Sequence, residues 1–237
     1  MFVFLALVFA LGFVFFGVGS GSSIGDLLQG NFTRGGSSGA SVSSLQKKVQ
    51  KNPEDAASWL KLSQAYQAKG QPDQAIDPLK HYMALRPKDS SALSTLVSLQ
   101  QTRALTLAQQ AYNAQTSAGS VAFDPTGGLT SPKSGPVITD PITQAVQTKV
   151  SGQQSTLTAQ STAAFKQTES SLKKLVAVSP DDTSTLFQYA QIAQYAGDST
   201  TALAGYRKFL KLAPDDPKAA VAKQAIKALA PPPAKKQ

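Results

Sequence analysis

Residues 52–87 read NPEDAASWLKLSQAYQAKGQPDQAIDPLKHYMALRP, and residues 179–214 read SPDDTSTLFQYAQIAQYAGDSTTALAGYRKFLKLAP. Laid one on the other without gaps, Pro53 meets Pro180, Gly70 meets Gly197, Ala75 meets Ala202, Leu85 meets Leu212 and Pro87 meets Pro214. Self-similarity over such a length marks a stacked repeat architecture, because one unit alone cannot bury its apolar face. In the first copy, Trp59, Leu62 and Tyr66 recur at helical spacing up to Gly70. Ala75, Ile76, Leu79, Tyr82, Met83 and Leu85 form a second stripe that stops at Pro87. Asn52 is placed to cap the first helix, and Pro53 suits its first position, where a missing N–H costs nothing. Glu54 and Asp55 suit the positive end of its dipole. Gly70 can take the positive φ that ends a helix, and Pro72-Asp73 restart the chain. Each copy therefore predicts two antiparallel helices, with the small Ala75 letting them approach closely.

The pattern resembles the tetratricopeptide repeat (TPR). Trp59, Leu62, Tyr66, Gly70, Ala75, Ile76 and Pro87 match its offsets, while Ser63, Leu79 and Tyr82 stand where Gly, an aromatic residue and Ala are usual. In the second copy Leu186, Ala190, Gly197, Ala202, Leu203, Tyr206 and Pro214 match, with Ala193 and Phe209 as departures. The resemblance implies that the inner helices of successive repeats line a concave groove. Its groove-facing offsets fall on Leu60, Gln64 and Gln67 in the first repeat and on Phe187, Gln191, Gln194 and Tyr195 in the last. Amides there would bond the backbone of an extended peptide, and rings would hold its side chains. The alternative is that Phe187 and Tyr195 pack on the neighbouring repeat or the cap. Chaperone-binding members of the family clamp a C-terminal carboxylate with Lys and Asn, which are absent at these offsets.

Between the copies the pattern lengthens. Ser90 opens a new helix whose apolar face runs through Leu93, Leu96 and Val97, skips once at Gln100, and resumes through Ala104, Leu107, Ala111 and Ala114. Four prolines and four glycines in residues 117–141 predict a loop. Helical spacing then returns from Ile142 through Val146, Val150, Leu157, Phe165, Leu172 and Leu175, with Gly152 as a weak point. The second repeat is thus expected to be one elongated hairpin, the alternative being a disordered insert in residues 103–160. The repeats are placed at about 56–89, 90–180 and 183–216 within a helical domain of residues 45–230. Asp215 to Leu229, with Val221, Ala222, Ala225, Ile226 and Leu229 inward, predicts a capping helix centred on 217–229. Residues 231–237, led by three prolines, are expected to be a disordered tail.

The N-terminus differs in kind. Met1 to Val18, MFVFLALVFALGFVFFGV, carries no polar side chain. Its length and Phe content predict a transmembrane anchor over residues 1–20, followed by a Gly/Ser-rich linker over 21–44. A cleaved signal and a buried core helix are the alternatives. On the anchor reading the protein sits in the cell membrane as a single-pass protein, with its helical domain outside the cytoplasm, of the kind found in the bacterial envelope. The fold class expected overall is all-α: anchor, linker, TPR-like solenoid with one elongated hairpin, and cap.

Composition narrows the chemistry. There is no cysteine and one histidine, so thiolate chemistry is excluded and neither a metal site nor a catalytic constellation is expected. Asp181-Asp182 and Asp215-Asp216 fall at helix starts, where the dipole accounts for them. The formal net charge is +9, and much of it lies at Arg207, Lys208, Lys211, Lys218, Lys223, Lys227, Lys235 and Lys236. The only rings among these are Tyr206 and Phe209, both at core positions, which argues against nucleic acid as a partner. The expected function is a membrane-tethered scaffold for a protein or peptide partner in envelope assembly or export. It would be non-enzymatic and need no cofactor. The alternatives are self-assembly through the long hairpin, giving a homo-oligomer, and binding of anionic lipid or nucleic acid through the basic C-terminus.

Overall fold

The computed structural model describes residues 41–120 and 141–230. The chain divides into two compact units, 1–40 and 41–237, the first of which lies outside the described residues. Among the described residues all regular structure is helical: α1 (Val42–Lys51), α2 (Ala56–Ala68), α3 (Pro72–Leu85), α4 (Ser90–Ser120), α5 (Pro141–Val178), α6 (Thr183–Ala196), α7 (Ser199–Leu212) and α8 (Ala219–Leu229). Each helix packs on the next in chain order. The result is a TPR-like array of antiparallel hairpins, α2–α3, α4–α5 and α6–α7, flanked by α1 and α8.

Local chemistry accounts for the helix ends. Asp55, Asp182 and Asp198 cap α2, α6 and α7 with side chains that accept from Ser58 N, Ser184 N and Thr201 N. Asn52 instead terminates α1, so the expected cap lies three residues downstream, and Pro53-Glu54 form the turn between. Gly70 and Gly197 take φ of 68° and 84°, the left-handed conformation that closes α2 and α6 at little steric cost to a residue without Cβ.

The hairpins close on small residues. Ser63 is fully buried against α3 and donates its hydroxyl to the Ala75 carbonyl at 2.9 Å. A Cβ built on Gly205 would stand 2.9 Å from the Ala190 Cβ, so α6 and α7 approach as closely as glycine allows. Around these crossings lie two main cores. One joins α3, α4, α5 and α6 through Ile76, Leu79, Leu93, Leu96, Phe165, Leu172 and Ile192. The other joins α6, α7 and α8 through Phe187, Tyr206, Phe209 and Ala222. A smaller cluster, Leu45, Val49 and Leu62, seats α1 on α2.

The second hairpin is built differently. Helices of 31 and 38 residues, α4 and α5, run along one another. Leu93, Val97, Gln100, Ala104, Leu107, Ala111 and Ala114 on α4 lie on its covered face, alternately four and three residues apart. On α5 the same alternation runs through Val150, Gln154, Leu157, Ser161, Ala164, Thr168, Ser171 and Leu175. This is the seven-residue repeat of a coiled coil. Its seam is unusually small and polar. Thr168 and Ser161 satisfy their hydroxyls on their own helix, at the carbonyls of Ala164 and Thr158. Gln100 Oε1, by contrast, is buried with no hydrogen-bond partner.

Several expectations are corrected. The expected fold class included a transmembrane helix, and the expected location was a single-pass one in the cell membrane. No helix among the described residues is long and apolar enough to cross a membrane, so neither the span nor the location is upheld. Residues 1–20, on which the anchor fell, lie outside the described residues, as does most of the expected linker. The end of that linker is helical, because Ser41 caps α1 and Leu45 and Val49 are buried beneath it. Residues 117–120 continue α4 where a loop was expected, while 121–140 and 231–237 lie outside the described residues. The terminal helix begins at Ala219, since Asp216 holds the preceding turn by accepting from Lys218 N.

Candidate protein-binding surface

The inner row of α2 carries Leu60, Gln64 and Gln67. Gln64 is exposed, Gln67 is half-buried and donates to the Ser63 hydroxyl at 3.2 Å, and Leu60 packs against the first core. The matching row of α6 is more enclosed. Gln191 is 5% exposed, and Gln194 accepts from the Tyr206 hydroxyl at 3.0 Å. Tyr195 lies against Phe165 with ring centroids 5.2 Å apart, and burial raises its hydroxyl's pKa. Phe187 is 4% exposed, with its ring 5.7 Å from that of Tyr206 and 5.0 Å from that of Phe209. Phe187 therefore faces the protein's own packing and Tyr195 lies against Phe165; Gln64 is the exposed member of the inner rows, and Leu60, Gln67, Gln194 and Tyr195 are half-buried.

One part of the surface escaped the reading of the sequence. One repeat length beyond Ala57, Leu60, Gln64 and Gln67, the same offsets fall on Ser91, Ser94, Ser98 and Gln101 of α4. The three serines are exposed, and Gln101 accepts from the Gln188 amide of α6 at 2.6 Å. The inner row of α4 is thereby tied to α6. The period itself was the signal, obscured because the lengthened hairpin lacks the Gly that marks its neighbours.

A shallow cleft of about 630 Å³ opens where the start of α2, the end of α3 and the turn into α4 meet. Ala56, Ala57, Leu60, Leu85 and Pro87 give it an apolar lining, and Arg86, Lys88, Tyr82 and Asp89 supply the polar groups. Asp89 is already engaged: it accepts from Ala92 N at 2.9 Å and from the Tyr82 hydroxyl at 2.5 Å. Those bonds, the Ala92 N–H first, hold its carboxyl below the ordinary range. Arg86 and Lys88 are exposed and form no ion pair among the described residues. The cleft thus combines an apolar lining with two cations, Arg86 and Lys88, and one carboxylate, Asp89.

A second electrostatic feature joins the long hairpin to the last one. Glu169 of α5 is pushed above the ordinary carboxylate range by burial and by the nearby Asp198, with which it shares a hydrogen bond. Asp198 is held low by the Thr201 N–H and hydroxyl, so the two neighbouring carboxyls are pushed apart, Glu169 up and Asp198 down. Among the described residues no group of three or more His, Cys, Asp or Glu side chains is placed to hold a metal ion.

No family model matches the chain, and no curated protein matches it. Among solved structures, it is similar to two of the MamA protein. One is 14% identical, covers 79% of this chain and 69% of that one, and has a TM-score of 0.40. The other is 15% identical, covers 89% and 84%, and has a TM-score of 0.41. It is also similar to a thermophilic TPR protein from Thermus thermophilus, at 18% identity, 78% and 89% coverage and a TM-score of 0.27. TM-scores of this size do not establish a common superposition, and the hairpin architecture stands on this chain's own helices and their packing.

Proposed function

We propose that the helical array is a protein-binding scaffold with no catalytic role. The observation that carries this reading is the α2–α4 side of the array. Exposed Gln64, the half-buried Gln67 and the serine row of α4 lie beside a cleft whose cations lack an ion-pair partner. Amides and hydroxyls can bond an extended segment's backbone, and an apolar cleft can take one of its side chains. On this reading Leu60, Gln64 and Gln67 contact the partner directly. Gln191 and Gln194 shape the far end of the surface from within, and Phe187 and Tyr195 support it through packing. The assignment to envelope assembly or export rested on the anchor, and nothing among the described residues supports it.

A photo-crosslinking side chain at Gln64 tests the reading in cells that produce the protein. A discrete protein adduct at Gln64, absent when the same group replaces exposed Lys223 on α8, is the expected result. Equal labelling at both positions, or none at either, would overturn it. Self-assembly through the long hairpin is less well supported, because α4 and α5 fill their seam with each other's side chains.

A further inference from the structure

The gap-free alignment of the two copies supplies a comparison internal to the chain. Leu60 aligns with Phe187, Tyr82 with Phe209, Leu85 with Leu212, Arg86 with Ala213 and Lys88 with Asp215. At the last hairpin a phenyl ring occupies this place: Phe187 is buried between α6, α7 and α8, and the Lys218 ammonium stands 5.5 Å from its centroid. At the first hairpin the shorter Leu60 leaves the cleft open. Two cations stand at its rim, where the other copy has Ala213 and Asp215. The same fold position is self-filled in one copy, and in the other it is open, with cations in excess over its one carboxylate, Asp89.

We infer that the cleft at Leu60 is a docking site for a single aromatic side chain of a partner protein, carried on an acidic segment. The inference rests on the scaffold reading and names the chemistry of its partner. A phenyl ring is the group that the chain itself places at the equivalent position, with a cation beside it. The acidic character follows from Arg86 and Lys88, which form no ion pair among the described residues and outnumber the one carboxylate in the lining, Asp89, whose oxygens are engaged by Tyr82 and the α4 backbone. Cations alone would attract any polyanion. The apolar lining beside them is what makes the partner a protein segment rather than a nucleic acid or an anionic membrane.

The test uses the full chain and a fluorescein-labelled peptide, Gly-Asp-Asp-Phe-Asp-Asp-Gly, followed by anisotropy. The expected result is saturable binding that weakens with salt. Replacing the peptide's Phe by Ala should weaken binding roughly tenfold or more, and replacing its Asp by Lys should abolish it. Leu60→Phe, which gives this hairpin the residue of the other copy, should fill the cleft and abolish binding while the melting temperature holds. Should that variant melt early, Ala57→Phe at the exposed lip supplies the same block. Arg86→Ala with Lys88→Asp should weaken binding about tenfold and flatten its salt dependence. Undiminished binding to Leu60→Phe and Ala57→Phe, or equal binding of the Lys peptide, would overturn the inference. So would a stronger, Arg86- and Lys88-dependent affinity for a DNA duplex or phosphatidylserine vesicles. If the peptide fails while the Gln64 adduct persists, the aromatic docking site falls and the scaffold stands. If the peptide binds and no adduct forms, the inner row falls and the cleft stands.

Discussion

At the scale of single residues, glycine has two separate uses here. Gly70 and Gly197 are needed for their backbone angle, whereas Gly205 sits in ordinary helix and is needed for its lack of volume. Gly205→Ala would gain roughly 1 kcal/mol of helix propensity. It would also force a methyl to 2.9 Å from Ala190 in a closed helix crossing, and overpacking of that kind costs about 1–3 kcal/mol. A net loss is expected, read as a lower urea midpoint. Glu169 gives a second prediction, with its sign set by the direction of its shift. A carboxyl raised in the folded state contributes stability that is present at low pH and lost as pH rises through the folded value. The loss should therefore begin above the ordinary value of 4.5. Glu169→Gln keeps a hydrogen-bonding group but removes the charge, so its melting temperature should stay flat over the range in which the native protein declines. Asp55, held down to about 2 chiefly by the Ser58 hydroxyl and N–H, acts in the opposite direction and destabilises the fold only in strong acid. A decline in Glu169→Gln as steep as in the native chain would place the effect elsewhere.

At the scale of elements, the long hairpin shows how a weak seam can still be specific. Small residues such as Ala104, Ala111, Ser161 and Ala164 bury little apolar area, so most of its adhesion comes from the inner turns that share the first core. Within those turns Gln100 leaves its carbonyl oxygen unpaired, at a cost of about 1–3 kcal/mol for a buried group of this kind. Gln100→Met, nearly isosteric, should raise the melting temperature. A polar residue in a coiled-coil seam also favours one register over others, so the substituted hairpin should exchange its α4 amides less cooperatively. Hydrogen exchange on α4 would check this, and unchanged stability in Gln100→Met would show that the amide is satisfied in solution. Much of this element was legible beforehand: the apolar stripe broke once, at Gln100, and kept its phase. The strict seven-residue alternation was not, because Ser161, Thr168 and Ser171 read as polar surface until a facing helix covers them.

At the scale of the molecule, the core that joins the hairpins lies, among the described residues, in the inner half of the long one. Leu93, Leu96 and Val97 of α4 meet Phe165, Leu172 and Leu175 of α5 in the core shared with α3 and α6. Replacing residues 108–157 by a short glycine-containing turn should therefore leave the array folded, with helical circular dichroism lowered only by the residues removed and a single cooperative melt. Loss of cooperativity would show that the outer turns are structural. The repeat, the order of its helices and the small Ala75 at the first crossing were legible in the sequence alone, because helical periodicity, Gly70, Gly197 and the prolines act locally and leave few ways to stack; the Gly205–Ala190 crossing was not. Which way each side chain of the inner rows turned was decided only by the tertiary structure. Phe187 and Leu60 occupy the same offset in the two copies, yet one ring is covered by α7 and α8 and the other position opens on a charged cleft. That difference depends on neighbours distant in the chain, which a repeat pattern read along one strand of sequence does not contain.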